Sequence, residues 1–164
     1  MNDREYLQHA VNLGLAAAET GEYPIGAVLA TNSGQILAAA ANQSQATLKR
    51  LQHAEVRVLQ VISPRNIEIE QPPLILYSSL EPCLMCFGAA IVARISRIVW
   101  ACNDPFGGAG VLLDHWPLPH LPIPEVVAEP FPDLREASRC ALVRFFAENH
   151  RHDILRVWQN AGYS

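Results

Sequence analysis

The chain has 164 residues, of which half are apolar and 17% are charged, with 16 acidic and 12 basic side chains and a net charge of −4. This composition excludes a disordered chain, and the absence of an apolar run of about 18 residues argues against a membrane span. The acidic balance disfavours a protein that holds nucleic acid mainly through phosphates, so a small-molecule partner is favoured. The length fits one domain over residues 1–164.

The residues from Met1 to Glu5 are polar and acidic, unlike a secretory leader, and we expect a cytoplasmic protein. Two of the four cysteines form a Cys-x-x-Cys motif, which outside a secretory context indicates metal or redox chemistry rather than a disulfide. The other two, Cys102 and Cys140, are expected to be buried apolar thiols.

The first half of the chain has the pattern of a helix, a β-hairpin and a second helix. Residues 4–19 carry a helical stripe of apolar side chains that ends before Gly21. Two apolar runs, 25–30 and 35–39, flank a turn that contains a glycine and predict a hairpin. A helix is predicted over residues 53–63, where Ser63-Pro64 ends it.

The second half alternates strands and helices. A strand at 74–78, a helix at 83–94 and a strand at 98–101 predict a layered α/β sandwich. A loop-rich stretch follows, and it contains a short strand at 125–128. The last amphipathic helix is predicted over 133–147, either extended or followed by another segment up to Trp158.

Two short motifs, His53-Ala54-Glu55 and Pro82-Cys83-Leu84-Met85-Cys86, supply a histidine and two cysteines. His53, Cys83 and Cys86 can fill three corners of a zinc tetrahedron and leave the fourth for a catalytic water. A structural zinc site would need a fourth protein ligand, and none of the other histidines has close spacing to the cysteines. A catalytic Zn²⁺ site is therefore predicted, with one ion per chain.

Glu55 lies two residues after His53, a spacing that does not place both on one face inside a helix. The motif therefore requires the irregular start of a helix, where Glu55 can move protons for the water. The pattern H-x-E…P-C-x-x-C is typical of zinc deaminases of nucleobases. It predicts a hydrolytic deaminase that releases ammonia, in which backbone amides near Ala54 and Cys83 bind the substrate or the new oxygen.

The chain resembles the cytidine/deoxycytidylate deaminase superfamily, in the branch that holds guanine deaminases, fungal-type cytosine deaminases and tRNA adenosine deaminases. The resemblance covers most of residues 4–114 and rests on Glu22–Val28, Asn42, the His53 motif and Leu80–Ala89. It implies a three-layer α/β sandwich with a central five-stranded mixed sheet flanked by helices, in a homodimer or larger oligomer. It also implies that Asn42 hydrogen-bonds the substrate, although Asn42 could instead only end a strand as a turn residue.

The identity of the substrate rests on weaker signals. Asp104 and Asp114 are candidates to bind an exocyclic amine or a ring N–H, and Phe106 and Trp116 are candidates to stack on a base. The alternatives are solvated loop carboxylates and aromatic side chains that pack against the body of the protein. Residues 101–106 carry no positive charge, where tRNA-acting members of the family tend to be basic.

A deaminase of a free base or nucleoside is therefore favoured, with guanine-like purines ahead of cytosine. A tRNA-specific adenosine deaminase is the alternative. A noncatalytic, zinc-stabilised subunit is a third reading, and the presence of Glu55 argues against it because a structural site needs no proton shuttle.

Overall fold

The core of the protein is a five-stranded mixed sheet in the strand order β2-β1-β3-β4-β5. A computed structural model describes residues 2–62, 73–115 and 120–161, with the backbone alone at 114 and 115. The strands are β1 (Gly26–Thr31), β2 (Ile36–Ala41), β3 (Leu74–Ser78), β4 (Arg97–Trp100) and β5 (Glu125–Ala128). Strand β1 is antiparallel to both β2 and β3, whereas β3, β4 and β5 run parallel to one another. The expected α/β class and five-stranded mixed sheet are confirmed.

The helices in the described part of the chain flank this sheet. They are α1 (Asp3–Ala18), α2 (Ser44–Thr47), α3 (Ala54–Leu59), α4 (Leu84–Val92), α5 (Pro132–Glu148) and α6 (His152–Asn160), and a 3-10 helix spans Gly110–His115. Helix α1 begins with a capping box, in which Asn2 and Glu5 each accept a hydrogen bond from the other's backbone N–H. Within the described residues, no helix combines the length and apolarity needed to cross a bilayer.

Alternation along the strands gives the sheet two apolar faces. One face carries Val28 and Tyr77, which pack against α1 and α5. The other carries Leu29 and Leu76, which pack against α3 and α4. Every residue of β1 is buried, as expected for an interior strand covered on both faces.

A third cluster forms beside the sheet, where α5 and α6 meet the segment that follows β3. Leu142 and Phe146 of α5 pack there with Ile154 and Trp158 of α6, against Leu80. The two C-terminal helices are thereby held near the cysteine motif, which also lies after β3.

Three local features differ from the sequence predictions. Helix α3 ends at Leu59 rather than at residue 63, and the four-residue helix α2 was not predicted. Of the two forms predicted for the last helical segment, the structure has the second, a helix followed by another, because His150 adopts a left-handed φ of 55° and ends α5. The predicted burial of Cys140 is wrong: its position on α5 faces solvent beside Glu136, whereas Cys102 is buried as predicted.

Candidate active site

His53 and Glu55 flank the first residue of α3. His53 is the N-cap, with an extended backbone (φ −71°, ψ 148°), and Glu55 lies in the first turn. Inside a helix, the rotation of about 100° per residue would point His53 and Glu55 to different faces. His53 stands outside the regular helix, so this rotation does not fix the direction of its ring. The irregular helix start that the motif required is present. Ala54, between them, is fully buried in the core, and a substrate contact by its backbone N–H stays a prediction.

The two cysteines occupy the matching place on α4. Cys83 is the N-cap and Cys86 lies in the first turn, where free backbone N–H groups favour thiolates. Cys83 is also tied to the loop after β4, because it forms an isolated β-bridge with Gly108. Pro82 contributes to the same tie by accepting a hydrogen bond from the backbone N–H of Ala109 at 3.1 Å.

The histidine and cysteine ligand atoms form a compact triangle. His53 Nδ1 lies 3.7 Å from Cys83 Sγ and 3.5 Å from Cys86 Sγ, and the two sulfurs are 3.6 Å apart. Zinc–sulfur and zinc–nitrogen bonds of about 2.3 and 2.0 Å give tetrahedral edges of about 3.5–3.8 Å. The triangle therefore has the size of one face of a zinc tetrahedron, and the residues fit the ion.

The protonation of the cysteines also suits a cation. The hydrogen bond from Cys86, assisted by one from His53, lowers the pKa of Cys83 to about 4, so that Cys83 is a thiolate at neutral pH. The same contact and burial raise the pKa of Cys86. Cys86 is therefore a thiol while no cation is bound, and it can become a second thiolate beside Cys83 only when a positive charge, such as that of a divalent zinc, compensates it.

Glu55 is buried with an exposure of 3%. Its Oε1 accepts a hydrogen bond from the Ser78 hydroxyl at 3.2 Å, and its Oε2 lies 3.6 Å from Cys86 Sγ. Burial raises the pKa of Glu55, which favours a carboxyl group that both takes up and releases protons. The carboxylate therefore stands beside the ligand triangle.

A cavity of about 710 Å³ opens beside His53 and Cys83. Three of the predicted substrate-binding residues, Asn42, Asp104 and Phe106, line it. Asp114 lies in the 3-10 helix, and its side chain is outside the described residues, as is all of Trp116. The structure thus brings three of the five candidate side chains to the metal ligands.

The sequence analysis missed the contribution of the C-terminal helices to this cavity. Leu142 and Phe146 of α5 line it, together with Arg151, Ile154 and Trp158 from the start and body of α6. The helical periodicity of this segment predicts an apolar face, but which surface that face covers depends on tertiary packing. No sequence signal marked these residues as part of the site.

Two buried carboxylates that hold the walls of the cavity were also missed as such. Glu81 accepts hydrogen bonds from the backbone N–H groups of Asp104 at 2.9 Å and Gly110 at 2.7 Å. Glu22 performs the same task on the opposite side, beside Asn42. A carboxylate whose partners are mostly backbone N–H groups leaves no complementary side chain in the sequence, so neither role could be deduced from charge pairing.

Comparison with known proteins agrees with this geometry. The family model described as the cytidine and deoxycytidylate deaminase zinc-binding region matches residues 1–102. A tRNA-specific adenosine deaminase of Bacillus subtilis (strain 168) is 36% identical over 113 residues, which are 68% of this chain and 70% of that protein.

Two solved structures extend the comparison. A structure from a study of tRNA:A34 deaminases is 33% identical, with a TM-score of 0.65, over 76% of this chain and 97% of that one. A guanine deaminase from Bacillus subtilis is 30% identical, with a TM-score of 0.54, over 63% of this chain and 66% of that one. With a zinc-sized ligand triangle and a carboxylate beside it, this chain belongs to the cytidine and deoxycytidylate deaminase family and is a zinc-dependent deaminase of the nucleobase or nucleoside type.

Proposed function

We propose that this enzyme deaminates a free purine base of the guanine type. The observation that carries the proposal is the pair of hydrogen-bond acceptors in the cavity beside the zinc ligands. One is the Asp104 carboxylate, and the other is the side-chain oxygen of Asn42. Guanine presents ring N–H groups to such acceptors, whereas the adenine of a polynucleotide has only its amino group to donate.

Asn42 offers an acceptor because its donors are already used. Its side-chain NH₂ donates to Glu22 Oε1 at 2.8 Å and to Ser44 Oγ at 2.7 Å. An amide nitrogen has two hydrogens and no acceptor capacity, so the atom left for a substrate is the oxygen Oδ1. This accounts for a role of Asn42 beyond ending β2, although that strand does end at Ala41.

Asp104 is held in an acceptor orientation by its own loop. Its Oδ1 accepts a hydrogen bond from the backbone N–H of Phe106 at 2.9 Å. Burial raises the pKa of Asp104, and a substrate N–H would compensate the carboxylate for its lost water. Phe106, with an exposure of 55%, offers an aromatic face at the rim of the cavity for stacking on a base.

The chemistry follows from the placement of Glu55. His53, Cys83 and Cys86 would hold a zinc ion, which would lower the pKa of a water molecule and so supply a nucleophile near neutral pH. Glu55 accepts one proton of the attacking water and passes it to a ring nitrogen, and then carries the second proton, from the hydroxyl group added to the ring carbon, to the leaving amine. Ser78 holds the carboxylate in place through these transfers. The products are the oxo-base and ammonia.

A tRNA-specific adenosine deaminase is the second candidate. It is favoured by the identity of 36% to the Bacillus subtilis tRNA-specific enzyme. Two arginines, Arg50 and Arg151, line the cavity and would meet phosphates. Binding to tRNA that weakens steeply with salt would support this candidate, and no binding at low salt would contradict it.

We also expect the enzyme to act as a homodimer in the cytoplasm. Helix α4 leaves Leu84 and Val92 exposed by 66% and 75%, and Leu48 and Leu51 are exposed by 90% and 62%. Apolar side chains so exposed are what a second copy of the chain would cover. Sedimentation equilibrium of the zinc-loaded protein tests the dimer, and a monomer at micromolar concentration would contradict it.

The deciding experiment measures ammonia release by the zinc-loaded protein from guanine, adenine, cytosine, their nucleosides and tRNA. Glu55→Ala is the control, because it removes the proton shuttle and keeps all three zinc ligands. Release from guanine alone supports the proposal. Release from tRNA alone replaces it with the second candidate, and release that persists in Glu55→Ala removes Glu55 from the mechanism.

A further inference from the structure

Glu22 is a buried carboxylate, with an exposure of 3%, that the chemistry described above does not use. Its Oε1 accepts from the backbone N–H of Tyr23 at 2.9 Å and from Asn42 Nδ2 at 2.8 Å. Its Oε2 accepts from the backbone N–H groups of Gln45 at 2.8 Å and Ala46 at 3.1 Å. Burial would raise the pKa of Glu22, but these hydrogen bonds bring it below its usual value, so the group is ionised at neutral pH.

An ionised carboxylate can only accept hydrogen bonds. The end of the Asn42 side chain that meets Glu22 must therefore be the NH₂ group. The backbone of Asn42 is itself fixed, since its N–H donates to the carbonyl of Ile25 at 2.8 Å. The Asn42 carboxamide can still make a half-turn, which exchanges the positions of its NH₂ group and its oxygen. Glu22 determines which of these two orientations is adopted.

We propose that Glu22 is a positioning residue that turns the oxygen of Asn42 toward the substrate and so sets the preference for bases that present an N–H there. The inference deepens the proposed function and rests on it. In Glu22→Gln the new amide can either donate or accept, so Asn42 can turn its NH₂ group toward the cavity. The variant would then accept a base with a ring nitrogen or carbonyl oxygen in that place.

The kinetic test compares kcat/KM for guanine with that for 2-aminopurine, 2,6-diaminopurine, 7-methylguanine and 9-methylguanine, which each lack one or more of its donors or acceptors. A base that is not turned over is compared by its inhibition constant. We expect Glu22→Gln to reduce the discrimination against at least one analogue by about tenfold, the usual effect of leaving a buried polar group unpaired. Glu22→Asp, which keeps a carboxylate, should retain the guanine preference even if its rate falls.

A double-mutant cycle separates positioning from a general structural effect. On an Asn42→Ala background, Glu22→Gln should leave the relative preferences unchanged, because the group that it orients is gone. Glu5→Gln is the matched control, since Glu5 also accepts a hydrogen bond from a backbone N–H but lies on α1. A uniform loss of kcat/KM for every base, which persists on the Asn42→Ala background, would overturn the proposal.

A second measurement does not depend on the substrate. The side-chain NH₂ of Asn42, assigned by its loss from the ¹⁵N spectrum of Asn42→Asp, should exchange its hydrogens more slowly than that of the exposed Asn12. Exchange as fast as that of Asn12 would overturn the orientation by itself. If the wild-type enzyme turns over none of the purine bases while Asn42 is protected, the proposed function fails and the positioning by Glu22 stands.

Discussion

Replacing Gly108 with alanine should destabilise the protein and misplace one wall of its cavity. A Cβ atom at Gly108 would lie less than 3 Å from the carboxyl carbon and both oxygens of Glu81. The carboxylate cannot simply turn away, because it accepts hydrogen bonds from the backbone of Asp104 and Gly110 at 2.9 and 2.7 Å. Either the loop moves away from Glu81 or these hydrogen bonds break.

The cost follows from these two routes. Overpacking of this kind costs about 1–3 kcal/mol, and losing one hydrogen bond to a charged group costs about 1.5–3 kcal/mol. Whichever route is taken, we expect Gly108→Ala to lower the free energy of unfolding by about 1–3 kcal/mol. For a chain of this size, that corresponds to a fall in Tm of roughly 2–12 °C. Because Asp104 moves with the loop, KM for the substrate should rise as well.

Gly88→Ala is the matched control. Gly88 lies within α4, and a Cβ atom there would meet nothing within 4 Å. Alanine is favoured over glycine inside a helix by about 0.5–1 kcal/mol, so the control should be as stable as the wild type or slightly more stable. Thermal unfolding of the zinc-loaded variants measures the difference. If Gly108→Ala and Gly88→Ala unfold at the same temperature, the loop does not wrap around Glu81 and the reasoning is refuted.

Three further predictions concern the metal site and the ion pair between Asp3 and Arg97. Glu55→Gln should lower kcat by about 10²- to 10⁴-fold with zinc content unchanged by mass spectrometry, and an unaffected kcat would contradict its role as the proton shuttle. Cys86→Ser should weaken zinc binding in a chelator competition, and an unchanged zinc affinity would remove Cys86 from the ligands. The hydrogen bonds from Arg97 lower the pKa of Asp3. Asp3 therefore stabilises the fold at pH values above its unfolded pKa of about 3.9, and this contribution is lost as the pH falls through the pKa of Asp3 in the folded protein. The gap in Tm between the wild type and Asp3→Asn should therefore be present at pH 7 and close in strong acid; a gap that is the same at both would refute it.

The zinc ligands could be predicted from sequence because their geometry is local. His53 and Cys83 each stand at the N-cap of a helix, and the partners that complete each motif lie within the next three residues. Spacing in the sequence therefore translates almost directly into spacing in space. Only the meeting of the two helix starts depends on the fold: α3 packs on β1 and β2, and it contacts α4 on the same face of the sheet.

The walls of the cavity could not be predicted in the same way. Asp104 and Phe106 were chosen for their chemistry, and the structure places them in the cavity, but nothing in the sequence ties them to Glu81. Trp158 lies more than seventy residues after Cys83 and reaches the cavity only because His150 breaks the last helix in two. Contacts of this kind arise from tertiary packing, which the periodicity of one segment does not specify.

The site therefore divides into parts with different sources of rigidity. The zinc ligands and Glu55, the proposed proton shuttle, stand on helix starts that pack directly on the sheet. The residues proposed to face the substrate stand on irregular segments, and each segment is fastened by a buried carboxylate: Glu22 for Asn42, and Glu81 for Asp104. Because neither carboxylate belongs to the zinc-ligand triangle, a change at either one can alter which base is bound while zinc and proton transfer are kept. Substrate preference in this enzyme should accordingly be more sensitive to Glu22 and Glu81 than zinc affinity is.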